Sequence, residues 1–199
     1  MKKIGFIGAG NMAGAIIGGI IKSNLVESQN VIASAKTMTN LNKLKDEYNI
    51  NVTLDAREVV KNSDIVFMAV KPNIFDGVLE SVKDLIGDEK IVVSIAAGKS
   101  ISSMENIIGD DKKIIRTMPN TPALVNEGMS ALCPNKNIED AELKIVKGIF
   151  DSFGKSEVVG EYLIDSVIGV SGSSPAYVFM FIEAMADAAV VGGMPRKQA

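Results

Sequence analysis

The first part of the chain alternates short, continuously apolar runs with segments that have helical spacing. The apolar runs occupy residues 4–7, 31–34, 51–53, 65–70, 91–95 and 114–118. The intervening helices are expected at residues 11–23, 39–47, 55–61, 74–85 and 138–153. Apolar runs without polar alternation are typical of strands covered on both faces, and their alternation with helices is typical of a parallel sheet. The pattern predicts an α/β fold with about six parallel strands, plus one or two further strands near residues 129–133 and 157–159.

After Gly160 the strand pattern stops and the chain becomes helical and apolar. Ser174 and Pro175 supply an N-cap and an N1 proline for a helix that runs to about Val191. Apolar residues cover more than one face of this helix, so it needs cover on several sides. Pro195 suggests the start of another helix that Ala199 cuts short. We therefore expect a domain at residues 1–160 and, at 161–199, the start of an all-α domain that is truncated here and completed by more chain, a partner subunit or both.

Composition and charge narrow the class of protein. The 199 residues are 47% hydrophobic and 23% charged, as in ordinary globular proteins. The 21 basic and 24 acidic side chains are spread along the chain and leave a net charge of −3, without the basic stripe that a nucleic-acid binder needs. One cysteine cannot form an internal disulfide, no secretory signal pattern precedes the first strand, and the apolar stretch at 12–21 is too short to span a bilayer. These features predict a cytoplasmic protein without a membrane or nucleic-acid partner.

The chain contains no histidine. This excludes Ser-His-Asp and Cys-His nucleophile systems and histidine-ligated zinc, and the lone Cys133 excludes a thiolate cluster. We therefore expect no metal site, and chemistry that comes largely from a bound cofactor.

A glycine motif directly after the first apolar run indicates which cofactor that is. Gly8, Gly10 and Ala13 form a G-x-G-x-x-A pattern between a strand and a helix, which is the context of the dinucleotide-binding fingerprint. The first glycine permits the tight turn and the second lets the backbone approach the pyrophosphate, which the helix N-terminus then holds. The alternative is a glycine turn used only for packing. The motif predicts a Rossmann-type domain that binds NAD or NADP.

The end of the second strand favours NADPH over NADH, although NADH stays possible. A carboxylate there normally binds the ribose 2′-hydroxyl of NAD, but residues 28–45 contain no acid. Ser34 and Lys36 offer a donor and a positive charge that suit a 2′-phosphate. The alternative is an ordinary solvated helix N-terminus.

Two more strands end in small residues on the edge where ligands bind in open α/β sheets. The first is followed by Ala69, Val70, Lys71 and Pro72, and the second by Ala96, Ala97 and Gly98. Lys71 is either a contact for cofactor or substrate or only a surface charge. On α-helical spacing, Glu183 and Asp187 share one face of the last helix and could stabilise an iminium charge, although such pairs are more often solvated.

Two further segments resemble a known family. Residues 116–122 read RTMPNTP and residues 169–177 read GVSGSSPAY. With residues 8–12 and 69–72, they are similar, in order and without large gaps, to the signature segments of Δ1-pyrroline-5-carboxylate reductases. That resemblance implies reduction of the C=N bond of 1-pyrroline-5-carboxylate to L-proline by NADPH or NADH, in a Rossmann domain followed by a helical domain that forms a homodimer or larger homo-oligomer.

The resemblance also implies site residues. To the cofactor it assigns Ile7, Gly8, Ala9, Gly10, Asn11, Met12, Ser34, Ala69, Val70, Lys71 and Pro72, with Ala96, Ala97 and Gly98 near the nicotinamide. Close to the substrate it places Asn120, Ser171, Gly172, Ser173 and Ser174. Family members continue beyond Ala199 through a loop that holds the substrate carboxylate, so we expect a partial substrate site here. No histidine acid is required, because a protonated imine is already a strong electrophile.

Two alternative functions stay open at this point. One is another small-substrate dehydrogenase or imine reductase of the same architecture, and the other is a non-catalytic NAD(P)-binding module. Dehydrogenases that act on hydroxyl groups usually use a lysine or histidine in the helical domain. Residues 174–191 contain neither, which favours imine reduction.

Overall fold

A computed structural model describes residues 2–199 and contains an eight-stranded sheet. The strands are β1 (Ile4–Ile7), β2 (Val31–Ser34), β3 (Asn51–Thr53), β4 (Ile65–Met68), β5 (Ile91–Ser94), β6 (Lys113–Pro119), β7 (Gly128–Pro134) and β8 (Gly154–Val158). Their order across the sheet is β3-β2-β1-β4-β5-β6-β7-β8. The first six strands are parallel, β7 runs antiparallel to β6, and β8 runs parallel to β7. The predicted α/β fold, with six parallel strands and two further strands, is confirmed.

Eight α-helices accompany these strands in residues 2–199. They are α1 (Asn11–Lys22), α2 (Met38–Tyr48), α3 (Ala56–Lys61), α4 (Pro72–Val82), α5 (Ile101–Ile108), α6 (Asp140–Asp151), α7 (Ile164–Val167) and α8 (Ser174–Val191). The sequence pattern did not predict α5, which has eight residues. Ser100 is its N-cap, and the Ser100 side chain accepts a hydrogen bond from the amide of Ser103 at 3.1 Å. A helix this short gives little periodicity, so its capping serine was the only clear signal.

The entry into α8 differs from the expectation that Ser174 is its N-cap. Ser173 occupies that position without capping, because its hydroxyl donates to the carbonyl of Ile168 at 2.9 Å. The chain enters α8 directly from a π-helical segment at Ile168–Gly172, so no separate cap is needed. At Pro195, where the start of another helix is expected, the structure has a single turn. The amides of Gln198 and Ala199 donate to the carbonyl of Pro195 at 2.8 and 3.1 Å, and the second of these is the i to i+4 bond of a first α-helical turn.

Each face of the sheet buries its own apolar layer. Alternate strand residues such as Phe6 and Phe67 face α1, α2 and α6, while their neighbours Ile7 and Val66 face α3, α4, α5 and α7. This alternation follows from the period of two along a strand, and it requires both faces to be apolar. The two layers hold the sheet rigid, so the loops at its carboxyl edge start from fixed points.

An aromatic row lies at the centre of one layer. The rings of Phe6 and Phe67 stack with centroids 4.7 Å apart, and Phe150 lies 6.0 Å from Phe67 and 5.4 Å from Phe153. All four side chains are fully buried. The row joins the neighbouring strands β1 and β4 to α6.

We expect Phe67→Ala to lower the free energy of unfolding by about 3 to 5 kcal/mol, because it removes a fully buried ring from the middle of this row. Urea unfolding followed by circular dichroism measures the loss. Val125→Ala is the control, since Val125 is 70% exposed and its truncation leaves no cavity. A loss for Phe67→Ala no larger than that of the control would show that the row contributes no packing energy.

The last helix lies outside both layers. Phe179, Met180 and Phe181 in α8 are 66 to 70% exposed, and α8 has no buried residue. By length and composition alone, the stretch Glu161–Val191 could cross a bilayer. The same exposed apolar surface is also typical of a helix that packs against a protein partner.

Candidate functional site

The strand order reverses between β1 and β4, which places a cleft at the carboxyl edge of the sheet. The cleft has a volume of about 480 Å³. It brings together the predicted cofactor residues Ile7, Gly8, Ala9, Gly10, Ser34, Lys36, Ala69, Val70 and Lys71. Residues from four separate loops thus converge at the topological switch point, which is where open α/β sheets bind their ligands.

Gly8 and Gly10 have different structural roles in this cleft. Gly8 has φ +114°, and a Cβ on it would lie 2.3 Å from the carbonyl oxygen of Ala69, so no side chain fits there. A Cβ on Gly10 would meet no atom within 4 Å and would project into open space. The backbone at Gly10 is therefore free for a close approach by a ligand, whereas Gly8 is required by the fold itself.

The N-terminus of α1 begins at this open position. No side chain caps it, and its first turn carries no acidic residue. The unpaired amide groups and the positive end of the helix dipole favour an anion such as a pyrophosphate. The open surface at Gly10 and the uncapped helix together fit the pyrophosphate of a dinucleotide.

The other end of the cleft is suited to a second anionic group. Ser34, Lys36 and Asn40 line it, and none of its described lining residues is acidic. Asn40 was not predicted from the sequence, although its place in the first turn of α2 after an acid-free stretch was a usable signal. Leu54 and Ala56 add an apolar wall that was also missed, because the loop after β3 carries no motif.

The loop between β5 and α5, residues 95–100, follows the next strand along the same edge. Gly98 has φ +75°, which favours glycine. Lys99 fixes the loop against α4, because its ammonium lies 2.7 Å from the Asp76 carboxylate and 5.9 Å from the centre of the Phe75 ring. Ala96, Ala97 and Gly98 lie beside the cleft rather than among its lining residues, as do Pro72 at the start of α4 and Met12 in α1. Asn11 lines a neighbouring hollow between α1 and α2.

Asn120 joins the end of β6 to the predicted substrate segment. Its side-chain amide lies 3.2 Å from the carbonyl oxygen of Ser171 and 3.3 Å from its hydroxyl, and its own oxygen accepts from the amide of Met129 at 2.8 Å. A methyl group on Gly172 would lie 3.2 Å from the Met118 methyl carbon. The segment Ser171–Ser174 is thereby held against the carboxyl end of β6.

Two other candidate groups have surroundings that do not favour a catalytic role. Burial raises the pKa of the Cys133 thiol to about 11, so it is not a thiolate nucleophile near neutral pH. Glu183 is exposed on α8 and lies 4.0 Å from Arg196, which also pairs with Asp187. These two carboxylates are paired at the surface, away from the cleft lining.

A further ion pair was missed by the sequence analysis because its members lie far apart in the chain. A guanidinium nitrogen of Arg116 on β6 donates to Glu161 at 2.8 Å, and the same carboxylate oxygen accepts from the amide of Ile101 at 2.8 Å. Arg116 begins the segment 116–122, but nothing in that segment points to Glu161, which lies outside every motif. Only the sheet order brings them together.

The fold and the cleft define the class: a Rossmann-type, dinucleotide-binding oxidoreductase. Comparison with protein families agrees. Residues 3–98 match the family described as NADP oxidoreductase coenzyme F420-dependent, and residues 161–199 match pyrroline-5-carboxylate reductase dimerisation.

Individual relatives identify the family more closely. Pyrroline-5-carboxylate reductase from Escherichia coli (strain K12) is 50% identical over 198 residues, which is 100% of this chain and 74% of the relative. The enzyme from Methanosarcina acetivorans is 43% identical over 198 residues, 100% of this chain and 73% of the relative. The crystal structure of Plasmodium falciparum pyrroline carboxylate reductase with NADP bound is similar, with a TM-score of 0.89 at 34% identity, covering 99% of this chain and 72% of that one. The chain belongs to the pyrroline-5-carboxylate reductase family, as its sequence motifs suggested.

We expect Gly10→Val to abolish dinucleotide binding and leave the fold intact, because its side chain enters the open space in the cleft without meeting any atom. Gly8→Val should lose both binding and stability, since it collides with the Ala69 carbonyl. Fluorescence titration with NADPH measures binding, and circular dichroism measures folding.

Gly148→Val is the matched control. It also adds a side chain in open space, but on α6, so NADPH should bind to it as to the unmodified protein. If Gly10→Val bound NADPH with unchanged affinity, the glycine motif would not be part of the binding site.

Proposed function

We propose that the protein reduces the C=N bond of 1-pyrroline-5-carboxylate to L-proline, using NADPH. The observation that carries this proposal is the 50% identity to pyrroline-5-carboxylate reductase from Escherichia coli across the whole chain. We also propose a division into two domains, which the separate family matches at residues 3–98 and 161–199 support. Residues 1–160 form the dinucleotide-binding domain, and residues 161–199 belong to a helical domain for substrate and dimerisation.

We propose a role for each side of the cleft. Gly10 and the N-terminus of α1 hold the pyrophosphate. Ser34, Lys36 and Asn40 hold the 2′-phosphate, which the acid-free lining supports. NADH can also bind, because nothing at this end requires the phosphate. Ala69 to Pro72 lie along the ribose, and Ala96 to Gly98 face the nicotinamide.

The bound cofactor supplies a hydride to the imine carbon of the substrate, and the pyrroline nitrogen carries a proton taken from solvent. The work of the protein is then to exclude alternative geometries and to hold the imine over the cofactor. Ser171, Gly172, Ser173 and Ser174 are placed beside the substrate, with Lys71 at the mouth of the cleft. Asn120 positions this segment, since its amide is already used in hydrogen bonds to Ser171.

The exposed apolar face of α8 supports assembly into a homodimer or a larger homo-oligomer. Residues 161–199 match a dimerisation family, and a second copy can cover Phe179, Met180 and Phe181. We infer from this that the stretch Glu161–Val191 is a subunit interface rather than a membrane span. We also propose a cytoplasmic location, which the single cysteine supports because it cannot form an internal disulfide.

The activity is tested by following NADPH oxidation on addition of 1-pyrroline-5-carboxylate, with a 3-hydroxyacid in the presence of NADP as the competing reaction. The proposal predicts oxidation that depends on the pyrroline and yields proline. Turnover of the hydroxyacid alone would assign the chain to a different reaction of the same architecture. Cofactor binding without turnover of either substrate would make it a binding module.

We expect Lys36→Glu to weaken NADPH binding by about 10-fold or more, because it replaces a charge-assisted contact with a repulsive charge beside the 2′-phosphate. NADH affinity should change much less. Dissociation constants for both cofactors come from fluorescence titration. Lys155→Glu on β8 makes the same change of charge far from the cleft and should leave both constants unaltered. Equal affinities of the unmodified protein for NADPH and NADH would contradict the assignment.

We expect Phe181→Lys to convert the oligomer to monomers, since a buried ammonium at the centre of an apolar interface has no partner. Sedimentation velocity measures the mass, and NADPH titration checks that the cleft is intact. Leu25→Lys, at a half-exposed leucine after α1, is the control that should remain assembled. A stable monomer for the unmodified chain would refute the interface.

A further inference from the structure

One carboxylate connects the helical region to the loop that faces the nicotinamide. Oε1 of Glu161 accepts two hydrogen bonds at 2.8 Å, from the guanidinium of Arg116 and from the backbone amide of Ile101. The three residues belong to three different parts of the fold. They are the start of the helical region, the strand β6, and the first turn of α5.

The two donors lie at opposite ends of the β5–α5 loop, residues 95–100. Ile101 is the first residue after the loop, at the start of α5. Arg116 pairs in register with Ser94, the last residue before the loop, and the hydroxyl of its neighbour Thr117 donates to the Ser94 carbonyl at 2.9 Å. The Glu161 carboxylate therefore spans the base of the loop and ties both of its ends together.

The carboxylate is itself held in place by the core. Three residues further along, Ile164 is 1% exposed and packs into the same apolar layer as Ile101 and Met104 of α5. The Arg116 side chain is 11% exposed and the Glu161 side chain 32%, so the ion pair is partly shielded from solvent. A shielded, charge-assisted pair on a fixed backbone has a definite geometry, unlike a pair of flexible surface side chains.

The loop also has local restraints. Ser100 caps α5 through the amide of Ser103 at 3.1 Å, the amide of Ala96 donates to the hydroxyl of Ser94 at 3.3 Å, and Lys99 pairs with Asp76. These bonds do not reach the helical region, whereas the bond from Ile101 to Glu161 does. The amide of Ile101 is one of the N-terminal helix donors that have no partner within the helix. Without Glu161, this donor and the adjacent end of the loop lose their connection to the helical region.

We propose that Glu161 is a positioning residue of the reductase. By joining the helical region to both ends of the β5–α5 loop, it sets where the loop holds the nicotinamide relative to the substrate segment. This inference rests on the proposed function for its effect on catalysis, but the connection itself is a property of the protein without ligand. Asn120 makes a similar connection from the end of β6 to Ser171. The β5–α5 loop and the substrate segment are therefore both hydrogen-bonded, through a side chain, to the same strand.

Three variants test the proposal. Glu161→Ala removes the acceptor, and Glu161→Gln keeps an oxygen that can accept from Ile101 while losing the charge. Glu157→Ala removes an exposed carboxylate from β8, four residues earlier, and serves as the control. Thermal unfolding is recorded for all of them, so that a general loss of folding is recognised.

The first measurement is hydrogen exchange in the absence of cofactor. In Glu161→Ala the amide of Ile101 should exchange roughly 10-fold faster or more, because a hydrogen bond to a charged acceptor is lost. Amides in the central strands should keep their rates. Exchange at Ile101 should return most of the way to its original rate in Glu161→Gln and be unchanged in Glu157→Ala.

The second measurement separates binding from turnover. In Glu161→Ala the dissociation constant for NADPH should stay within about three-fold, since the cleft residues are intact, while kcat with 1-pyrroline-5-carboxylate falls about 10-fold or more. KM for the pyrroline should change less than kcat, and Glu161→Gln should recover most of the lost rate. This split distinguishes a misplaced nicotinamide from a merely weakened fold.

Each contrary result has a definite meaning. Unchanged exchange at Ile101 in Glu161→Ala, unchanged kcat, or a Glu161→Gln variant as impaired as Glu161→Ala would overturn the positioning role. Acceleration of exchange throughout the central strands would overturn it as well, because Glu161 would then support the whole fold. If the unmodified protein shows no pyrroline-dependent oxidation, the proposed function fails, and the exchange data alone decide whether the carboxylate fixes the loop.

Discussion

The close approach of β1 and β4 at their carboxyl ends is the constraint on which the site depends. Gly8 adopts a φ of +114° there, and a Cβ on it would lie 2.3 Å from the Ala69 carbonyl oxygen. Because the strand order reverses at these two strands, the chain leaves them toward opposite faces of the sheet and opens a cleft between the departing loops. The same turn directs the N-terminus of α1, with its uncapped amides, into that cleft.

The cleft needs little chemistry of its own. No described lining residue is acidic, and the one thiol in the chain is buried with its pKa raised to about 11. A reductase of this kind depends on placement, because hydride transfer requires the two reacting carbons to be held together and asks little of an acid or base when the imine is already protonated. Connections such as Asn120 to Ser171 and Glu161 to Ile101 are therefore as important as direct contacts.

The features of the fold and site that could be predicted from the sequence are those that depend on residues close together in the chain. The six parallel strands, the glycine turn and the helix α8 follow from patterns that need only neighbouring residues: apolar runs, a G-x-G-x-x-A motif and helical spacing. The helix α5 was not predicted, because its eight residues are too few to show a clear helical periodicity of apolar positions. The start of α8 was misassigned because Ser173 bonds to Ile168 within a π-helical turn, which propensities do not describe. The Arg116–Glu161 pair is separated by 45 residues and depends on the order of strands in the sheet, so no local pattern could indicate it.

The central claim is that this cleft directs a hydride from the nicotinamide onto the carbon of a cyclic imine. Its most direct test uses NADPH that carries deuterium at both C4 positions, incubated with 1-pyrroline-5-carboxylate, and mass spectrometry of the product. The account predicts L-proline with a single deuterium at C5, formed in equal amount to the NADP produced. Proline without deuterium, or oxidised cofactor without proline, would contradict it.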